Sequence, residues 1–131
     1  MTTVSALMTK DPIVIRSSSM PKDVLVIFLE SKVSGLPVLN PSGAILGFLN
    51  EGALVKILLQ QAKTKDVQPI ARYENFFTKA PSVLPTDLLP AVIKAMFESP
   101  SNRVLVSDSA GKLVGIISPK DVLRLLAPHA C

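Results

Sequence analysis

The stretch Leu7-Met8-Thr9-Lys10-Asp11-Pro12-Ile13-Val14 occurs a second time, in altered form, as Phe76-Phe77-Thr78-Lys79-Ala80-Pro81-Ser82-Val83. The two prolines of this pair lie 69 residues apart. A sequence that returns at a fixed spacing predicts that one structural unit has been built twice.

Two later segments recur in the same order. Gly35-Leu36-Pro37-Val38 corresponds to Arg103-Val104-Leu105-Val106, and Gly43-Ala44-Ile45-Leu46-Gly47 corresponds to Gly111-Lys112-Leu113-Val114-Gly115. The later segments are 68 residues apart, so the second copy is one residue shorter than the first between its opening stretch and these segments. We therefore divide the chain into a first repeat (residues 1–62), a linker (63–73), a second repeat (74–128) and a tail (129–131).

The composition limits the classes of protein. The 131 residues are 48% hydrophobic and carry a net charge of +4 without any basic run, which argues against nucleic-acid binding. The longest apolar run, residues 24–29, is far too short for a membrane span, and no secretory signal opens the chain. Because the single cysteine, Cys131, cannot form an internal disulfide, we expect a cytoplasmic protein. The high apolar content of so small a chain favours a homodimer.

Each copy has the same predicted order of elements. In the first copy we expect a short extended piece (12–15), an amphipathic helix (21–31), a hairpin of two strands (36–39 and 44–49) and a closing helix (52–61). In the turn of this hairpin, Pro41 and Gly43 suit a type I turn.

The second copy follows the same plan. The corresponding elements are an extended piece (81–84), a helix with apolar residues at helical spacing (92–97), two strands (104–106 and 112–117) and a closing helix (119–126). The predicted fold class is therefore α+β, with two β-α-β-β-α repeats packed with pseudo-two-fold symmetry, since one repeat alone has little core.

This pattern resembles a tandem pair of CBS domains, named after cystathionine β-synthase and also called a Bateman module. The resemblance covers nearly the whole chain and rests on Met8-Thr9-Lys10-Asp11-Pro12, on Val33-Ser34-Gly35-Leu36-Pro37-Val38 and on Gly115-Ile116-Ile117-Ser118-Pro119-Lys120-Asp121. It implies a non-catalytic regulatory module that binds AMP, ADP, ATP or S-adenosylmethionine in clefts between the repeats. It also implies further association as flat dimers and a regulated protein on another chain.

The main candidate site is the turn from the last strand into the last helix. Asp121 can accept hydrogen bonds from ribose hydroxyls, and the start of the helix suits a phosphate, to which Ser118 and Lys120 add a hydroxyl and a cation. In the family, the matching aspartate holds ribose and the matching serine or threonine lies near phosphate. A structural interpretation competes, because Ser118, Pro119 and Asp121 also fit a capping box with proline at the first helical position.

Arg103 and Asn102 are the next candidates. The guanidinium of Arg103 suits bidentate contact with a phosphate, and in the family this position often faces the cleft. A solvated charge at the end of a strand is an equally good interpretation of Arg103. Asn102 could bind a hydroxyl or phosphate, or it could serve as a helix C-cap.

The resemblance places the adenine base against the first copy. Ile13 and Val33 are candidate apolar walls with Ser34 alongside, while backbone groups around Lys10 and Pro12 could contact the edge of the base. Ile13 and Val33 could equally be ordinary core residues.

A second cleft is expected to be weaker. At the positions of Ser118 and Asp121 the first copy has Asn50, a good N-cap residue, and Ala53, which cannot bind a ribose. Ala80, Pro81 and Ser82 remain candidate lining residues for a weaker ligand.

Catalysis and metal binding find little support in the sequence. His129 lies near the end of the chain, Cys131 has no activating neighbour other than His129, and no cluster of ligands has metal spacing. We therefore predict no enzyme activity, no catalytic residue and no metal. The alternative to a nucleotide sensor is a ligand-free dimerisation or protein-interaction module, in which Ser118 and Asp121 only cap a helix.

Overall fold

The computed structural model describes residues 2–129 and has an α+β fold, as the sequence predicted. The chain forms two compact units. The continuous unit is Ile13–Thr78, and the composite unit joins the opening residues up to Pro12 to the residues from Lys79 onward. The units thus divide the chain differently from the repeats of the sequence.

The described residues form short strands and helices of 4 to 14 residues. The helices are α1 (Val4–Leu7), α2 (Pro21–Glu30), α3 (Glu51–Thr64), α4 (Leu89–Glu98) and α5 (Pro119–Leu126), with 3₁₀ segments at Ile70–Phe76 and Ala127–His129. The strands are β1 (Thr9–Lys10), β2 (Ile15–Arg16), β3 (Gly35–Leu39), β4 (Ile45–Asn50), β5 (Ser82–Val83), β6 (Val104–Ser107) and β7 (Leu113–Ile117).

In the continuous unit, a sheet of order β2-β3-β4 lies at the centre. β2 runs parallel to β3, and β3 pairs with β4 as an antiparallel hairpin and is buried at all five positions. The fully buried side chains of this unit include Ile15, Val24, Val38, Leu49, Ile57 and Ile70. Ile70 belongs to the 3₁₀ segment, so part of the predicted linker supplies core to this unit.

In the composite unit, the sheet order is β1-β7-β6-β5. β5 runs parallel to β6, β6 and β7 form the second hairpin, and β1 pairs with β7 in antiparallel fashion. The core of this unit is a separate cluster: Val4, Val83, Val92, Ala95, Val104, Val106, Ile117 and Val122.

Each unit is completed by the opening segment of the other repeat. In the composite unit, Thr9 of the first copy pairs with Ile116 of the second. In the continuous unit, Thr78 of the second copy forms a bridge to Phe48 of the first, with N–H···O distances of 2.8 and 2.9 Å. The two pairings occupy matching positions in the repeats, so the same exchange occurs in both directions.

A glycine makes room for each exchanged segment. A Cβ atom built on Gly115 would lie 2.5 Å from the Met8 sulfur, and one built on Gly47 would lie 2.9 Å from the Phe77 Cβ. Both distances are shorter than a normal carbon contact, so each glycine permits the close approach of the exchanged segment.

The two hairpins share one turn design. In the first, the Gly43 N–H donates to the Asn40 carbonyl, and the Asn40 side chain accepts bonds from the next residues of the turn. Asp108 does the same before Gly111 in the second hairpin. Such Asx turns fix the hairpins where the sequence predicted them.

Candidate functional site

Asp121 lies in the first turn of α5, directly after β7. Only 8% of its surface is exposed. Its Oδ2 atom accepts hydrogen bonds from the Ser118 backbone N–H at 2.9 Å and from the Ser118 hydroxyl at 3.2 Å. Ser118 is the N-cap and Pro119 the first helical residue, so the capping role that the sequence offered for Asp121 is present.

The second carboxylate oxygen of Asp121 has a weaker partner. Arg124 donates from Nη1 to Oδ1 at 3.2 Å, but 74% of the Arg124 side chain is exposed. A carboxylate offers about four acceptor positions, of which these three bonds use three. Because exposed ion pairs contribute little free energy, an incoming hydroxyl could displace Arg124 and gain two acceptors. Arg124 was not predicted as a site residue, although its i, i+3 spacing from Asp121 is a recognisable signal in the sequence.

The start of α5 offers fewer backbone donors than the sequence suggested. Pro119 has no N–H, and the Asp121 N–H donates to the Ser118 carbonyl at 3.0 Å. Of the first three helical residues, Lys120 therefore keeps its N–H for a ligand, and its ammonium is exposed. The helix dipole still favours a negative group at this end.

The strand pairing of the composite unit brings Arg103 to the start of α5. Arg103 directly precedes Val104, and Val104 pairs with Ile117, the residue before Ser118. The Arg103 side chain is half-buried, and its Nη1 donates to the Ser101 carbonyl at 3.3 Å. A fully solvated charge at the end of the strand therefore does not describe it.

Asn102 holds a turn instead of capping a helix. Its φ is 58°, a left-handed conformation that asparagine tolerates better than most residues. Its N–H donates to the carbonyl of Ser99, and Ser99 is itself the C-cap of α4. The C-cap interpretation of Asn102 is therefore wrong, while its side chain remains exposed.

The other predicted residues of the main site fall in both units. Lys10 is exposed and pairs with Gly115 across β1 and β7, so the composite unit brings it beside the segment that leads to Asp121. Pro12 is half-buried at the end of that opening segment.

Three predicted residues belong to the continuous unit. The Ile13 side chain is 51% exposed, so it is not a core residue. Val33 packs partly against the core of this unit, and Ser34 is exposed, with its carbonyl accepting a bond from the Glu51 N–H at 3.0 Å.

The residues predicted for a second cleft are also divided between the units. Asn50 caps α3, with its side chain accepting from the Ala53 N–H at 2.8 Å, and Ala53 is buried in the core. In the composite unit, Ala80, Pro81 and Ser82 lie at β5, on the opposite edge of the sheet from β1. Within that unit they are thus separated from Lys10 by the width of the sheet.

Two other kinds of site are absent from the part of the chain that the structure describes. No helix within residues 2–129 is long and apolar enough to cross a membrane. Among the described side chains, which end at residue 128, no three histidine, cysteine or acidic residues are grouped to hold a metal ion. Cys131 lies outside the described residues.

A family model identifies both halves of the chain. The CBS domain model matches residues 4–60 and again residues 74–128. The chain therefore belongs to the CBS domain family and contains two tandem copies of the domain, as the resemblance implied.

Solved structures and curated proteins agree with this membership. The structure of CBSX2 from Arabidopsis thaliana has a TM-score of 0.78 at 24% identity and covers 98% of each chain. CBSX2 in complex with AMP has a TM-score of 0.77 at 25% identity, covering 97% of each chain. The 5'-AMP-activated protein kinase subunit gamma-3 of Bos taurus is 26% identical over 106 residues, which are 78% of this chain and 21% of the kinase subunit.

Proposed function

We propose that this chain is a non-catalytic regulatory module that binds an adenosine-containing nucleotide of the AMP, ADP or ATP class through Asp121. The observation that carries the proposal is the burial of this carboxylate together with its hydrogen bonds. It is almost fully buried and is held by Ser118, and within the described residues its second oxygen accepts a hydrogen bond only from an exposed arginine. The known complex of a similar protein, CBSX2, with AMP supports this ligand class over others.

Each part of the nucleotide has a candidate partner in the composite unit. The ribose hydroxyls would bond to Asp121, because a charged acceptor makes stronger hydrogen bonds than a neutral one. The phosphate would meet the Lys120 N–H and ammonium and the Arg103 guanidinium. The Ser118 hydroxyl could donate to it only by giving up its bond to Asp121 Oδ2. Lys10 adds a further exposed cation beside Gly115.

The base-binding part of the site stays a prediction. Contact of the adenine base with Ile13, Val33 and Ser34, and with the backbone near Lys10 and Pro12, is expected from the sequence resemblance alone. S-adenosylmethionine would use the same ribose contact at Asp121, so it belongs to the same test. The cytoplasmic location and the regulated protein also stay predictions.

Calorimetric titration with AMP, ADP, ATP and S-adenosylmethionine tests the proposal. We expect Asp121→Asn to weaken binding by about tenfold or more, since it removes the charge from the ribose acceptor. The asparagine carbonyl can still accept from the Ser118 N–H, so the melting temperature should change little. Asp108→Asn is the matched control, because it neutralises an aspartate in a hairpin turn of the same unit. Failure of all four ligands to bind, or equal binding by wild type and Asp121→Asn, would contradict the proposal.

A second candidate function, dimerisation without a ligand, rests on exposed apolar residues. On α2 and α3 of the continuous unit, Leu29 is 76% exposed, Leu59 65%, Val55 55% and Val26 46%. The two helices also line an apolar groove of about 190 Å³. We infer that a second copy of the chain covers this face, because burying apolar side chains drives association.

Light scattering after gel filtration separates the two functions. Leu29→Glu should shift a dimer toward monomer, while Ala62→Glu places the same charge on α3 with less loss of apolar surface. A nucleotide response that survives in monomeric Leu29→Glu would support the sensor function alone. A dimer that persists in this variant would overturn the proposed face.

A further inference from the structure

A polar cavity in the continuous unit is lined by none of the residues proposed to bind the nucleotide. Its volume is about 390 Å³, within the usual size range of ligand pockets. Gln60 and Thr64 of α3 form one side, Asp66 and Gln68 follow the helix, and Arg72 and Tyr73 of the 3₁₀ segment complete the lining.

The wall of this cavity is fixed before any ligand arrives. The Ile70 and Ala71 N–H groups donate to the carbonyls of Ser19 and Ser17, at 2.8 and 2.9 Å, which ties the 3₁₀ segment to the end of β2. On the other side, the Gln68 side-chain amide donates to Asp66 Oδ1 at 2.9 Å. The backbone next to Arg72 and Tyr73 is thus fixed by the fold, and the side chains of Asp66 and Gln68 hold each other, which reduces the cost of ordering them on binding.

Tyr73 is the one buried residue of the lining. Its residue surface is 5% exposed and it belongs to the core cluster. Its hydroxyl makes no hydrogen bond with the described residues and is not among the buried side-chain atoms that lack a partner, so it is open to the cavity. A ligand in the cavity can therefore bond to this hydroxyl in place of water.

Arg72 is the second group without a partner. No carboxylate of the described chain pairs with its guanidinium. Its backbone is fixed, because the Arg72 N–H donates to the Pro69 carbonyl at 3.0 Å. A guanidinium at the edge of a polar cavity suits bidentate contact with a carboxylate.

The charges around the cavity disfavour both a simple anion and a simple cation. Asp66 and the C-terminal end of α3, whose dipole is negative, would repel a simple anion. Arg72 would repel a simple cation. Lys63 and Lys65 belong to the same turn of the chain but do not line the cavity. Both halves of the lining are satisfied by a molecule that carries a carboxylate for Arg72 and an ammonium for Asp66 and the helix end.

We propose that this cavity is a second ligand site, separate from Asp121, that binds a small zwitterion of the α-amino acid class. The carboxylate of the ligand contacts Arg72 and the Tyr73 hydroxyl, and its ammonium contacts Asp66. Gln60 and Thr64 are left to contact the side chain of the ligand. The site does not depend on nucleotide binding.

Titration followed by ¹H–¹⁵N NMR of the full chain tests this proposal. The probes are the common L-amino acids, with N-acetyl-L-alanine, L-alanine methyl ester and inorganic phosphate as ligands that carry charge of only one sign. We expect at least one free amino acid to give saturable shifts at the Asp66, Arg72 and Tyr73 amides and to bind more tightly than these three control ligands.

Two variants assign the contacts. Tyr73→Phe removes only the unpartnered hydroxyl, so the fold should keep its stability while affinity falls about fivefold. Arg72→Gln should weaken binding by more than about tenfold, whereas Lys56→Gln, a cation on α3 away from the cavity, should not. The proposal is overturned if no amino acid gives saturable shifts, if phosphate or N-acetyl-L-alanine binds best, or if both cavity variants bind like wild type. None of these outcomes bears on the Asp121 test.

Discussion

The exchange of opening segments predicts which pieces of this chain can fold alone. The perturbation is to prepare two fragments of similar length, residues 13–78 and residues 1–62. The first follows the continuous unit of the structure, and the second follows the first repeat of the sequence. Fragment 13–78 keeps a complete sheet and core, while fragment 1–62 ends before the 3₁₀ segment.

The losses in fragment 1–62 can be estimated from burial. It lacks Ile70, which is fully buried, and Tyr73, which is 5% exposed. Each such side chain contributes about 1.5–3 kcal/mol on burial, so the two together contribute about 3–6 kcal/mol. It also lacks the two backbone hydrogen bonds between Phe48 and Thr78 and the packing of Phe77 on Gly47. A unit of this size has a total stability of only about 3–10 kcal/mol.

Circular dichroism with urea unfolding measures the difference. We expect fragment 13–78 to unfold in a cooperative transition and fragment 1–62 to show no transition. Ile70→Ala within fragment 13–78 is the internal control and should lower the unfolding free energy by about 2–5 kcal/mol. Equal stability of the two fragments, or a folded 1–62 beside an unfolded 13–78, would refute the reasoning.

Three further substitutions test single features. Gly115→Ala should lower the unfolding free energy in urea titration by about 1–3 kcal/mol, because its new methyl group would collide with Met8. Gly111→Ala has open space around the new methyl group but a backbone φ of 81°, so it should lower the unfolding free energy by about 1 kcal/mol in the same titration. Asn50→Ala should cost about 1 kcal/mol through loss of the α3 cap, and an unchanged urea midpoint would contradict that role. Arg124→Ala should change the unfolding free energy by less than about 0.5 kcal/mol, because the ion pair that it removes is exposed. The nucleotide affinity should stay equal or rise, since Asp121 Oδ1 loses a competing partner. A loss of affinity measured by calorimetry would show that Arg124 helps to bind the ligand.

The local features of the fold were predictable from the sequence. The bounds of α5 agree with the predicted helix, and α2 begins at Pro21 as expected. These features are set by proline at helix starts and by periodic apolar residues, which act within a few positions along the chain. Both hairpins were predicted from short apolar strands on either side of local turn residues, such as Pro41 and Gly43.

The non-local features were not predictable from the sequence. β1 has only two residues, which is too short to show a periodic pattern, and it pairs with a strand about a hundred positions later in the chain. The four-residue helix α1 was also missed. Ile70 and Tyr73 stand in a polar stretch where isolated apolar residues give no sign that they enter a core.

The sequence predicted the main residues of the candidate site but not the hydrogen bonds that they make. The sequence identified Ser118 and Asp121 and left capping and ligand binding as alternatives. The structure shows the capping contact and a carboxylate with acceptor capacity remaining, so the two roles are compatible. The loss of donors at the start of α5 could be anticipated at Pro119 but not at Asp121, whose N–H is used by local turn geometry.

The pairing of Thr9 with Ile116 has a consequence for the order of events during translation. The residues of the continuous unit emerge from the ribosome as one uninterrupted segment, so this unit can fold while the rest of the chain is still being made. The composite unit must wait, because β1 is synthesised before the continuous unit and its partner β7 after it. Contacts between such distant residues form slowly. The opening segment therefore stays without its sheet while the whole continuous unit is being made, and this interval is when the chain is most exposed to mispairing with another copy.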